Sequence, residues 1–151
     1  MTAPLFTLRP ATEADYDWLW HLKRETMRPY VVLTWGAWDD DAQEKFFRRS
    51  FSPETIQVVG VAGHDAGLLH VEHENDEIFL ANIQIAPEFQ NGGLGTAVIV
   101  ALLEVARRLR RPVRLQVLKV NTAAQRLYTR LGFTSAGETA THRLMRWRPG
   151  P

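Results

Sequence analysis

Three glycines in four positions, followed at once by an apolar periodic segment, form the stretch of this chain best suited to chemistry: Gln90-Asn91-Gly92-Gly93-Leu94-Gly95-Thr96. Gly92, Gly93 and Gly95 permit backbone geometries closed to other residues and put no Cβ in the way of a ligand. Upstream, Ile78-Phe79-Leu80-Ala81-Asn82-Ile83-Gln84-Ile85 is apolar and rich in β-branched residues, a strand that stops at Pro87, which has no ladder donor. Downstream, Thr96 to Arg111 repeats Val98, Leu102, Val105 and Leu109 at spacings of four, three and four. That spacing predicts a helix with this stripe inward and Arg107, Arg108 and Arg110 largely off it. The unpaired N–H groups of its first turn then open into the glycine loop, and a strand, glycine loop and helix in this order bind phosphate. Gly93-Leu94-Gly95-Thr96-Ala97-Val98 lacks the third glycine of the dinucleotide fingerprint, and no Gly-Lys-Ser/Thr follows, so neither a dinucleotide nor a nucleoside triphosphate is indicated.

The chain has 151 residues, 45% hydrophobic and 23% charged, with a net charge of +1. That length predicts one domain over residues 1–151, and the composition is that of an ordinary globular protein. A charge so near zero makes no electrostatic case for nucleic acid. The absence of cysteine excludes a disulfide framework, a thiolate nucleophile and a Cys-ligated zinc. The histidines show no metal-ligand spacing, so no metal is expected. Met1-Thr2-Ala3-Pro4-Leu5-Phe6 has no basic segment leading into an apolar run, and the longest purely apolar run, Ala97 to Leu103, is far short of a membrane span. A soluble cytoplasmic protein with no membrane partner is the expectation.

Around the glycine loop the remaining elements alternate. Leu5 to Arg9 reads as a first strand stopped by Pro10. Thr12 caps a helix carrying Tyr16, Leu19, Trp20 and Leu22, which runs out before Pro29. Arg28 to Trp38 reads as an aromatic loop, and Asp39-Asp40-Asp41 opens a second helix that reaches about Phe51. Ile56 to Ala62 and Leu68 to His73 read as strands joined by Gly63-His64-Asp65-Ala66-Gly67, and Glu77 to Ile85 is the central strand. Pro112 to Leu118 alternates as a strand; Asn121 caps a helix that ends at Gly132; Phe133 to Glu138 and Thr141 to Trp147 close the chain as a hairpin. The order is βααββ, then βαβαββ.

Two motifs give this order a family likeness. Gln90-Asn91-Gly92-Gly93-Leu94-Gly95 fits the pattern Gln/Arg-x-x-Gly-x-Gly/Ala. Asn121-Thr122-Ala123-Ala124-Gln125-Arg126-Leu127-Tyr128-Thr129-Arg130-Leu131-Gly132-Phe133 fills every fixed position of Asn-x-x-Ala-x-x-Leu/Phe-Tyr-x-x-x-Gly-Phe. On these the chain resembles the GNAT superfamily of acyl-CoA-dependent N-acetyltransferases over nearly its whole length. The resemblance implies an α/β (α+β) fold, a mixed and mostly antiparallel central sheet with splayed parallel central strands. It also implies that Gln90, Asn91, Gly92, Gly93, Leu94, Gly95 and Thr96 hold the CoA pyrophosphate. Backbone groups around Ile83, Gln84 and Ile85 would pair with pantetheine, with Asn121 and Ala124 nearby; Asn121 also serves as a plain helix cap.

Transfer to an amine needs a neutral nucleophile, a stabilised oxyanion and a proton for the departing thiolate. By resemblance Tyr128 gives that proton, as a phenol protonated at neutral pH can; a packed helix aromatic is the alternative. Some family members that acetylate protein amino termini carry a glutamate where this chain has Gln116, which cannot take a proton. The substitutes are Glu72 first, then His70, His73, Glu77 and His142, each of which also reads as an ordinary polar strand residue. Tyr30, Trp35 and Trp38, with His70, would shape the acceptor site beside Asp39, Asp40 and Asp41, by cation–π and charge attraction. Alternatively the tryptophans pack helices and the aspartates cap one. Arg107, Arg108, Arg110 and Arg111 would meet the nucleotide end of CoA or form a solvated face. The expected activity is acetyl transfer from acetyl-CoA, as co-substrate, to a small-molecule or peptide primary amine by direct attack, in a monomer or homodimer. A non-catalytic acyl-CoA sensor on the same fold is the rival.

Overall fold

The computed structural model describes residues 4–151; Met1, Thr2 and Ala3, the start of the stretch read for a leader segment, lie outside them. In chain order the elements are β1 (Thr7–Pro10), α1 (Tyr16–Trp35), α2 (Asp40–Ser50), β2 (Ile56–Val61), β3 (His64–His73), β4 (Ile78–Ile85), α3 (Leu94–Leu109), β5 (Val113–Leu118), α4 (Thr122–Arg130), β6 (Thr134–Glu138) and β7 (His142–Trp147). This is the predicted order. The strands pair as β1-β2-β3-β4-β5-β7-β6. The β4–β5 pair is parallel and the sheet is otherwise mostly antiparallel, the α/β arrangement expected. No helix among the described residues is long and apolar enough to cross a membrane.

Contacts divide the chain into two compact units. The first holds the described residues up to His70 together with Asn82–Gly95. Its core joins Tyr16, Leu19 and Leu22 of α1 to Phe47 of α2 and to Ile56, Val58 and Leu68 of the strands. Asp39 caps α2 by accepting from the Ala42 N–H at 3.2 Å. The second holds Val71–Ala81 and Thr96–Pro151. Its buried residues come from α3 (Val98, Ile99, Leu102, Leu103, Ala106), β5 (Val113, Leu115, Val117), Phe133, Met145 and Trp147.

Several local readings change, the first being β1, which starts at Thr7 and includes Pro10, paired with Gln57. The segment from Arg28 to Trp35 is helix, not loop: α1 runs through Pro29 and ends at Gly36, a left-handed residue whose N–H donates to Val32 O at 2.8 Å. Proline removes one helical donor, but Val31 beyond it is buried and gives the last turns something to pack. Between β2 and β3 the turn is only Ala62-Gly63, both at positive φ, the two-residue turn whose twist matches antiparallel strands. β3 therefore begins at His64, and a register shift at Val59/Gly60 absorbs the extra length. On α3 the inward stripe is Val98, Ile99, Leu102, Leu103 and Ala106, whereas Val105 and Leu109 are exposed. So apolar a helix offers several stripes, and packing chose a different one.

Lys23, on α1, was not conspicuous in the sequence. It is 9% exposed, with Nζ 4.9 Å from the Phe46 ring centroid and 5.5 Å from that of Phe47. Burial lowers its pKa from 10.5 to about 8. Below pH 8 both folded and unfolded chains carry the charge, and the full desolvation penalty weighs on the fold. Between about 8 and 10.5 the folded chain has lost a proton that the unfolded chain keeps, so stability rises with pH across that window. Lys23→Met should raise the Tm at pH 7 by about 2–4 °C, the shift that ~1 kcal/mol gives a domain of this size. The same thermal melts, repeated from pH 7 to 10, should show the wild-type rise absent in the variant; parallel curves would contradict the assignment.

Candidate active site

β4 is where the site begins, and hydrogen bonds to its neighbours reveal its shape. The Glu74 N–H donates to Glu77 O at 2.9 Å, and the Ala86 N–H to Ala66 O at 2.8 Å. Between those two bonds the β3 side takes eight steps (74 to 66) and the β4 side nine (77 to 86). β4 therefore carries one extra residue, a bulge. Its consequence is an exchange of edges. The Ile78 N–H donates to Pro112 O, on the β5 side, at 2.9 Å. Ala86, an even number of residues on, turns to β3 instead. By alternation, the backbone groups of Ile83 and Ile85 then lie on the edge away from β3. The β4–β5 ladder joins Ile78 to Val113, Phe79 to Arg114 and Leu80 to Leu115, and β4 runs on for five residues beyond it.

Gly67 makes this geometry possible. A Cβ at Gly67 would collide with the Gln84 carbonyl oxygen and come within 3.0 Å of Ile85 Cδ1. Gln84 itself is 4% exposed, and its Oε1 has no partner among the described residues. After a 3-10 turn at Pro87–Phe89, Gln90 Nε2 reaches back to donate to Ile85 O at 2.8 Å, tying the loop to the end of β4. Asn91 (φ 67°) and Gly93 (φ 83°) are left-handed. A Cβ at Gly92 would meet nothing within 4 Å, and one at Gly95 only Ile85 Cγ1 at 3.8 Å. Among the described residues only Pro4 Cδ, 3.9 Å from where a Cβ at Gly93 would stand, otherwise approaches the glycine side of the loop, just before the first turn of α3. This fits a backbone cradle for a phosphate-bearing ligand.

The second predicted motif forms the junction of β5 and α4. Asn121 caps α4, its Oδ1 accepting from the Ala124 N–H at 3.1 Å. Gln125 Nε2 donates back to Leu118 O (3.1 Å) and Lys119 O (2.9 Å), fixing the helix on the carboxyl end of β5. Tyr128, one turn on, is 8% exposed and meets Phe133 edge-on, centroids 5.5 Å apart. Burial pushes its phenol up to about 12, so it holds its proton throughout the neutral range.

Residues 9–133 match the acetyltransferase (GNAT) family. The chain belongs to that family. It is 31% identical over 113 residues to the 5-NmdU N-acetyltransferase of Pseudomonas phage PaMx11, covering 65% of this chain and 79% of the phage protein. Among solved structures it superposes on the PaiA N-acetyltransferase from Thermoplasma acidophilum, in complex with coenzyme A, with a TM-score of 0.75 at 15% identity, covering 95% and 99% of the two chains. The ribosomal-protein-S18-alanine N-acetyltransferase from Escherichia coli gives 0.72 at 21% identity over 97% and 96%. The protein is thus a GNAT N-acetyltransferase.

Within this acetyltransferase the other predicted residues fare unequally. Glu77 is held by Arg114 (3.1 Å) and Arg146 (3.0 Å), and Glu74 by Arg114 (2.9 Å), so Glu77 is bound in a guanidinium network. His70 Nε2 lies 3.0 Å from Thr55 Oγ1. Glu72 and His73 are exposed at the end of β3, and Gln116 is exposed on β5. Tyr30 and Trp35 sit five residues apart on α1, about 140° around the helix, so they do not share a face. Trp38 stacks on Trp20 at 6.1 Å, and Asp40 takes the Trp38 indole N–H and lies 3.6 Å from Arg24. The three aromatics thus form no single wall. Arg107, Arg108, Arg110 and Arg111 lie at the far end of α3, about 20 Å from the glycine loop. Arg107 there lies over the Trp147 ring, and Arg111 donates to Glu74 O. The Gly67 contact and the bulge escaped the sequence, since no residue pattern on β4 marks a one-residue insertion.

Gly67→Ala should destabilise the fold by about 1–3 kcal/mol, the cost of forcing atoms into a filled contact. Urea denaturation measures it, and an unchanged midpoint would mean that β4 does not press on this position.

Proposed function

We propose that this enzyme transfers an acetyl group from acetyl-CoA to a primary amine by direct attack in a ternary complex, one GNAT domain over residues 1–151 doing the whole reaction. The observation that carries the reading is the bulged end of β4 running into the open glycine loop. Ile83 and Ile85 supply backbone groups for the pantetheine arm, aided by Gln84, Asn121 and Ala124. Gln90, Asn91, Gly92, Gly93, Leu94, Gly95 and Thr96 form the pyrophosphate cradle, with Gln90 bracing the loop through Ile85. Tyr128 gives its phenolic proton to the departing thiolate. The acceptor's ammonium proton goes to a side-chain base, for which Glu72 and His142 are the two candidates. Trp35, 57% exposed at the end of α1, contributes most to the acceptor side, and Tyr30, Trp38 and His70 are its further proposed residues. The acceptor is a small molecule or a peptide. The relatives' names supply the first two to try, 5-NmdU and an amino-terminal alanine. The reading needs no metal, nucleic acid or membrane, and fits a cytoplasmic monomer or homodimer.

Thiol release from acetyl-CoA, followed with 5-NmdU, an alanyl peptide and spermidine, tests the activity. Tyr128→Phe should lower kcat at least tenfold while acetyl-CoA affinity, read by calorimetry, hardly changes. Full turnover in that variant removes Tyr128 from the mechanism. Gly95→Ala should bind CoA normally, since its Cβ makes an ordinary contact. Gly95→Leu should retain the fold by circular dichroism yet lose at least tenfold in CoA affinity; equal binding by both variants would contradict the cradle.

A further inference from the structure

We propose that His142 is the general base of this acetyltransferase, an inference that rests on the acetyl-transfer reading above. The position where some family members place a glutamate is Gln116, and Gln116 pairs with Leu144 across the β5–β7 ladder. The next same-face pair toward the carboxyl end of β5 is Leu118 with His142. Directly paired residues in an antiparallel ladder share a face, and diagonal neighbours lie roughly 7–8 Å apart. His142 is therefore the diagonal neighbour of Gln116, on the same face, at the carboxyl end of a strand in a parallel pair. In parallel α/β sheets ligands bind beyond the carboxyl ends of the strands, and the β4–β5 pair is the parallel part of this otherwise mostly antiparallel sheet. At the opposite end the face is closed by Arg114 and Arg146, bound to Glu74 and Glu77.

The imidazole is held for the task. The His142 N–H donates to Thr139 Oγ1 at 3.0 Å, and the Thr139 N–H donates to His142 O at 2.8 Å. The Lys119 N–H donates to Thr141 O at 2.9 Å, tying this turn to the exit of β5. The ring's Nδ1 lies 2.8 Å from Thr141 Oγ1, while Nε2 makes no hydrogen bond among the described residues. With Nδ1–H donating to that hydroxyl, the lone pair is on Nε2. The charged groups around the ring are accounted for. Lys119 pairs with Glu138 at 3.0 Å and Arg143 follows in the chain on the other face, while the neutral amide of Gln125 is spent on the Leu118 and Lys119 carbonyls. No carboxylate raises the basicity of the ring, and partial burial lowers its pKa below the usual imidazole value. The neutral, proton-accepting form therefore prevails at pH 7.

The chemistry balances. Nε2 takes one proton from the acceptor ammonium and returns it to solvent. The freed amine lone pair forms the C–N bond to the thioester carbonyl carbon, and the C–S bond breaks with its electrons on sulfur. Tyr128 protonates the thiolate and regains its proton from the new amide nitrogen. One proton per turnover is released.

The test is the pH dependence of kcat/KM, using thiol release with the 5-NmdU, alanyl-peptide and spermidine panel. Wild type should lose activity as pH falls through an acidic limb below the ordinary imidazole range. His142→Gln, which keeps a polar side chain without a titratable nitrogen, should lower kcat by at least 100-fold and abolish that limb, with CoA affinity unchanged. Thr141→Val, should His142→Gln fail to fold, should move the limb and lower kcat several-fold. Glu72→Gln should leave the limb in place. Wild-type rate and limb in His142→Gln, or loss of the limb in Glu72→Gln alone, overturns the inference while leaving acetyl transfer standing. No thiol release by wild type with any of the amines overturns both.

Discussion

The constraint on which the rest depends is the accounting of hydrogen bonds along β4. A strand between two neighbours has every backbone group claimed. Here one extra residue changes which edge each group faces, and the last part of the strand gains an edge whose groups the ladder to β5 does not take up. Burying such groups without partners is costly, so an irregularity of this kind persists only where something uses it. Gly67 permits it by leaving room for the Gln84 carbonyl, and Gln90 anchors its end by taking the Ile85 carbonyl. The glycine loop and the start of α3 follow directly from where that strand is made to stop.

Around this irregular strand the second unit is conservatively built. α4 is fixed to the exit of β5 by the side chains of Asn121 and Gln125, and Phe133 closes over Tyr128. A phenol so enclosed stays protonated, which suits a donor and forbids a base. Proton removal must then come from elsewhere, and the distribution of charge narrows the choice. Glu74 and Glu77 neutralise Arg114 and Arg146 at one end of the β5–β7 face, and His142 stands at the other.

The first unit presents a different balance. Its aromatic residues mostly pack: Trp20 on Trp38 and Phe47, and Tyr16 on Phe47 and Phe51. Asp39 caps a helix, as aspartates before helices commonly do. Lys23 among these rings carries a desolvation cost that cation–π contacts only partly offset. Trp35, exposed at the end of α1, stands apart from this packing.

What the sequence determined by itself was whatever depends on neighbours along the chain. Strand alternation, the left-handed glycine at 132, the Asn121 cap and the two motifs are local, and all were legible, whereas of the three loop glycines only Gly93 is left-handed, which the sequence did not single out. So was the order of elements, because short connections leave few choices. Pro29 misled because a local preference of a few kcal/mol yields to packing, here to buried Val31 and the Gly36 cap, both beyond it. The stripe of α3 misled because apolar residues also stand off its buried face, at Val105 and Leu109. Only the tertiary structure decided the bulge in β4, the insertion of β7 between β5 and β6, and the charge network that occupies Glu77. Each of these depends on which strand lies beside which. That is a fact of pairing between residues tens of positions apart, and a single sequence carries no signal for it.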